Sequence, residues 1–180
     1  LSERLAALPV RAIYASPYGR ACATAQYSAD KLGLEVRVLP WAREMNDVSV
    51  PAKIRPDLAV WHIPPRELMA AEATKAGNAW SDAPAFAGKS AALRERVREL
   101  REGADALLAP LGLVPVPGGY SLREDLSGWG DMALFCHQGA GLTLIAHLLN
   151  ICPVTLWRSC YIAPTSVTTL LLEQSEGGLL

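Results

Sequence analysis

Three side chains in this sequence have both the type and the setting to handle an anion: His137, Arg20 and Glu44. His137 follows the apolar run Met132 to Cys136 and precedes Gln138-Gly139-Ala140-Gly141, which opens a helical pattern. In an open α/β sheet, ligands bind beyond the carboxyl ends of the strands. The N–H groups of such a turn, with the helix N-terminus behind them, favour an anion there. A histidine at that point can donate a hydrogen bond to a phosphoryl oxygen or carry a proton. The same position also suits a histidine that caps the helix or bonds a backbone carbonyl. Arg20 falls in the first turn of a second predicted helix, again just past a strand. The helix dipole opposes a cation at that end, so the arginine wants a reason, and its planar fork suits phosphate. A plain surface arginine is the alternative. Glu44 lies in a loop after the predicted strand Glu35 to Leu39, where a carboxyl group can protonate a leaving alkoxide or simply be solvated.

Other reactive residues are less well placed. His147 sits inside the apolar helix after Gly139, as a packed or hydrogen-bonded residue does. His62 belongs to a proline-rich stretch and reads as a surface side chain or a pocket wall. Cys136 adjoins His137 and could be a nucleophile, but its apolar run favours inert burial. Trp61, Trp80 and Trp129 could stack on an organic group or pack in a core or lid.

The elements that must position these residues can be read from pattern and punctuation. Leu1 to Leu8 resembles the middle or end of an amphipathic helix. Arg11 to Ala15 predicts a buried strand. Ser16 as N-cap and Pro17 at the first helical position predict a helix through Leu32, with Ala21, Ala25, Ala29 and Leu32 on its apolar stripe and Gly33 ending it. Glu35 to Leu39 alternates as a second strand. Strand, helix and strand in succession imply a right-handed crossover and a parallel sheet.

Pro40 to Gly88, with six prolines, reads as loops around one short helix near Pro65 to Ala76. Lys89 to Leu111 predicts the clearest helix. Its stripe is Leu93, Val97, Leu100, Ala104 and Leu107, and Arg98 with Glu102 forms a solvated pair. Gly112 ends it, and Val114 to Gly119 reads as a loop. Met132 to Cys136 predicts a buried strand, Gly139 to Leu149 a helix, and Ser166 to Leu172 a last strand. The expected architecture is a three-layer α/β domain, a mainly parallel sheet with helices on both faces. It would span residues 1–180 as one domain, with 45–130 as an elaboration within it.

Composition narrows the functional classes. The 180 residues carry a net charge of −1, which gives no reason to expect nucleic acid or an acidic membrane surface as partner. The longest apolar runs are too short to span a bilayer, and no signal peptide opens the sequence. The four cysteines show no CxxC pairing and no metal spacing, so reduced thiols in a cytoplasm are the simplest reading. Neither a metal nor a cofactor is implied. The oligomeric state is not legible.

At the same residues the sequence resembles the histidine phosphatase superfamily, which includes the cofactor-dependent phosphoglycerate mutases. Ser16-Pro17-Tyr18-Gly19-Arg20-Ala21 through Thr24-Ala25 resembles its Ser-Pro-x-x-Arg-Ala-x-x-Thr-Ala motif, which supplies a phosphate-binding arginine. Phe135-Cys136-His137-Gln138-Gly139 resembles its second-histidine motif, and Trp41-Ala42-Arg43-Glu44 the stretch that ends in its acid/base glutamate. The resemblance implies a phosphomonoester substrate, catalytic roles for His137, Glu44 and Arg20, and substrate contacts from Arg20, Ser16, Gln138 and Gly139. It also implies a nucleophilic histidine in an Arg-His-Gly motif, and no Arg-His-Gly occurs here. A chain lacking an upstream first strand would explain that; an inactive phosphate-binding or interaction module is the alternative. The family's mutases carry Arg-His-Tyr-Gly after the glutamate, whereas Met45-Asn46-Asp47-Val48 stands here, which favours a phosphatase over a mutase.

Overall fold

The computed structural model describes residues 1–50, 57–72, 79–122 and 130–172. The chain is α/β, and its described residues gather into two compact units. The first comprises the described parts of 1–43, 103–137 and 163–180, the second those of 44–102 and 138–162.

The first unit is built on three parallel strands: β1 (Val10–Ala15) at the centre, β2 (Val36–Val38) on one side and β7 (Asp131–Phe135) on the other. Ile13 pairs with Val36 and with Ala133, so β1 is hydrogen-bonded along both edges. The helix α1 (Ser2–Ala6) buries Leu5, and α2 (Gly19–Leu32) lies against the sheet. Its buried Ala25 and Ala29 meet Val10, Ile13 and Ala15 of β1, with Leu32 and Phe135 partly buried around them. Small residues on the inner stripe let the helix approach the sheet closely. Gly33 ends α2 in the left-handed region at φ 66, where a side chain would be strained.

Three expectations for this unit are corrected. Val114 to Gly119, read as a loop, lies within an antiparallel hairpin of β5 (Leu113–Val116) and β6 (Gly119–Leu122). Pro117-Gly118 turns it, with Gly118 at φ 93, as a type II turn demands. Pro115 misled the reading, since proline is tolerated in a two-stranded ribbon where its missing N–H faces outward. Ser166 to Leu172, read as a strand, is irregular and mostly exposed. Its Val-Thr-Thr-Leu composition favours extension, but a strand needs a neighbour to pair with. β7 is also less buried than its apolar run suggests: Met132 to Phe135 are all half-buried.

The second unit is mostly helix and short turns. It holds the hairpin β3 (Ser49–Val50) and β4 (Leu58–Ala59), the helix α3 (Pro65–Glu72), and α4 (Ser90–Leu108) as far as Glu102. Also here are α5 (Gln138–Leu148) and α6 (Pro153–Ser159), the latter not foreseen from sequence. The α4 stripe runs Leu93, Val97, Leu100, Ala104 and then Leu108, not Leu107, which is half-buried. The pair of Arg98 with Glu102 forms at 2.6 Å on the exposed side, joined by Glu95. The core is aromatic: Trp80, Phe86 and Trp157 meet edge to face, with centroids 5.6 to 6.3 Å apart.

Candidate functional site

The sheet's carboxyl edge builds the first cluster. Beyond β1 the ladder continues by one bond, from Ser16 N–H to the Phe135 carbonyl at 2.8 Å. That bond sets Ser16 beside the residues that follow β7, and the His137 Nε2 lies 2.7 Å from the Ser16 hydroxyl oxygen. Ser16 is wholly buried and does not cap α2, as its place before Pro17 had suggested. The extended residue before the helix is Tyr18, whose N–H donates to the Ser16 hydroxyl at 3.3 Å. The helix starts one residue later, at Gly19. The hydroxyl is thus an acceptor for backbone and a partner for imidazole at once. Its own proton can go to Nε2 when the ring carries hydrogen on Nδ1.

Tyr18 completes this cluster, and sequence reasoning missed it. Its ring centroid is 5.1 Å from that of His137, tilted by 53°. The guanidinium carbon of Arg20 lies 5.1 Å from the same ring centroid. Arg20 is exposed, and among the described residues no carboxylate pairs with it. The unit therefore gathers an arginine, a half-buried histidine, a serine hydroxyl and a tyrosine ring at one strand end. Cys22 and Cys136 flank the cluster as free thiols, Cys22 Sγ donating to the Ser16 carbonyl at 3.1 Å.

Glu44 has a different environment. It is 5% exposed, and its carboxylate accepts backbone N–H bonds from Met45 at 3.0 Å, Gly139 at 3.2 Å and Ala140 at 2.9 Å. The N-terminus of α5, read from sequence as a cradle for an external anion, holds the protein's own carboxylate instead. The N–H of Gly139 is thereby engaged, and Gln138 stands at the helix start beside it. Gly139 also lacks room for a side chain, because a Cβ there would enter the ring of Trp61. Thr143 steadies the next turn: its hydroxyl is 2.8 Å from the Gly139 carbonyl and accepts the Trp157 indole N–H at 3.1 Å.

Trp61 and Trp80 are therefore packing residues, 8% and 2% exposed, and Trp129 lies outside the described residues. His62 is exposed, edge-on to Trp61 at 5.8 Å, and His147 is half-buried on the last turn of α5. Among the described residues no group of three or more His, Cys, Asp or Glu gathers, and no helix is long and apolar enough to cross a membrane.

A sequence model of the histidine phosphatase superfamily (branch 1) matches residues 1–180. No curated protein matches the chain.

Proposed function

This chain belongs to the histidine phosphatase superfamily, and from that premise we propose that it serves a phosphomonoester hydrolase working through a phosphohistidine intermediate. The observation that carries the proposal is the cluster at the strand ends. An exposed arginine that has no carboxylate partner among the described residues lies over an aromatic ring that also contacts a histidine. A phosphoryl group supplies the missing negative charge, and Arg20 offers it a planar pair of donors while His137 offers a third.

The reaction begins with a histidine nitrogen attacking phosphorus as the P–O bond to the leaving group breaks. His62, His137 and His147 are the only histidines in the chain, and none stands in an Arg-His-Gly setting. The attacking histidine is accordingly one that these 180 residues do not include. Arg20 and His137 hold the equatorial oxygens, where charge must be stabilised in flight. Glu44 gives its proton to the departing alkoxide, and then takes one from the water that splits the N–P bond. The Ser16 hydroxyl orients the His137 ring. Met45-Asn46-Asp47-Val48 follows Glu44 where the family's mutases carry Arg-His-Tyr-Gly, which favours the phosphatase over a mutase-type phosphotransferase. The substrate is a small phosphomonoester. Four cysteines outside any disulfide suit a reducing cytoplasm, and a net charge of −1 gives no reason to add nucleic acid or a membrane surface as partner.

One observation favours a second reading, a phosphate-binding module without turnover. The three N–H donors on Glu44 give its carboxylate a structural task already. Joining the chain to an upstream segment that carries an Arg-His-Gly strand separates the two. The phosphatase reading predicts hydrolysis that resists EDTA, cut roughly 10²-fold or more by His137→Ala and by Arg20→Ala, as when one preorganised donor is removed. Phosphate binding without turnover in the joined protein would establish the module instead.

A further inference from the structure

We infer that Tyr18 is a positioning residue, whose ring sets the orientation in which Arg20 and His137 meet one anion. The inference rests on the phosphate reading above and assigns a determinant of that site. The backbone of Tyr18 is fixed at both ends. Its N–H donates to Ser16 at 3.3 Å, and its carbonyl accepts the first helical bonds from Ala21 at 2.8 Å and Cys22 at 3.1 Å. The side chain therefore leaves the chain from a defined point, where the strand end becomes helix.

The ring then touches both partners, at 5.1 Å to the His137 centroid and 5.1 Å to the Arg20 guanidinium carbon. Arg20 needs such support more than most arginines. It stands in a first helical turn, where the dipole repels it, and no carboxylate among the described residues holds its head. A free arginine loses rotamer entropy when it binds an anion, and that loss weakens binding. A cation–π contact restricts the guanidinium beforehand and leaves its N–H edge open to an oxygen. His137 is held on one side by the Ser16 hydroxyl and on another by the same ring. No other described residue is in ring contact with both.

The work belongs to the ring face and not to the hydroxyl, for which no partner exists among the described residues. Tyr18 fills an unspecified position of the Ser-Pro-x-x-Arg motif, so the motif alone does not point to it.

Titrating the 180-residue chain with inorganic phosphate tests this, with chemical denaturation run on each variant. Tyr18→Phe keeps the ring and should bind phosphate within about twofold of the parent. Tyr18→Leu keeps most of the bulk without the π face. It should bind about five- to tenfold more weakly, the size of a partly desolvated cation–π contact, with its denaturation midpoint close to that of Tyr18→Phe. Equal affinity in Tyr18→Leu and the parent, while Arg20→Ala and His137→Ala lose binding, would overturn the role of Tyr18 and leave the site standing. A loss in Tyr18→Phe as large as in Tyr18→Leu would also overturn it, by placing the effect in the hydroxyl. Undiminished binding in Arg20→Ala and His137→Ala would remove the phosphate reading itself.

Discussion

The two units treat charge in opposite ways. In the first, Arg20 carries a positive head at a strand end with no carboxylate partner among the described residues, and an aromatic ring and a histidine lie beside it. In the second, the carboxylate of Glu44 is buried and takes three backbone N–H bonds, two of them from the start of α5. One region sets an arginine over an aromatic ring, with no carboxylate on it among the described residues. The other has donors whose anion is part of the chain. A helix N-terminus is thus no evidence of a ligand site until its own side chains have been counted, whereas a cation that meets a ring and no carboxylate among the described residues is a stronger sign.

That contrast can be pressed by substitution, starting where the largest loss is expected. Trp157 joins Trp80, Phe86 and Thr143 in the second unit. Trp157→Ala should cost about 3–5 kcal/mol by denaturant unfolding, as large aromatic deletions do. A loss below about 1 kcal/mol would mean that this cluster is not the unit's core. Glu44→Ala should cost about 2–3 kcal/mol, because three buried N–H groups lose a charged acceptor. Arg20→Ala should cost no more than about 1 kcal/mol, since its head is exposed and its one ring contact is of that size. Equal costs at the two positions would erase the contrast between them.

A smaller effect concerns alkaline pH. Burial, and then the hydrogen bond to Asp105, raise the Tyr120 phenol well above its ordinary value of 10.0. The unfolded chain therefore releases this proton first. Its contribution to stability is complete below about pH 10 and declines as pH rises above that, where the unfolded state binds fewer protons. Tyr120→Phe should flatten the fall in stability above pH 10 and leave the neutral range with a modest loss. An unchanged alkaline slope in unfolding experiments would show that Tyr120 does not govern it.

What the sequence revealed followed the length and locality of each signal. β1, α2, β2, α4 and α5 carry their own period or punctuation, and Gly33 and Gly112 mark helix ends by positive φ. Arg20 and His137 were legible because short local motifs place them past strand ends. Glu44 was visible as a residue, but its burial was not, since its partners lie 95 and 96 residues on. Trp61 and Trp80 were ambiguous for the same reason: their packing on Gly139 and Trp157 is set by chain segments far apart in sequence. α6, only seven residues long, had too few turns to show a period. The 113–122 hairpin was obscured by prolines, and Ser166 to Leu172 shows that strand composition without a partner does not make a strand.

The central claim is that Arg20 and His137 hold one phosphoryl group. Its most direct test is nitrogen NMR of the 180-residue chain, following the Arg20 Nε–H and His137 ring resonances as inorganic phosphate is added. Both should move and saturate with a single dissociation constant, while the rings of His62 and His147 stay still. Different constants for the two, or a response at His62 with none at His137, would contradict the shared site.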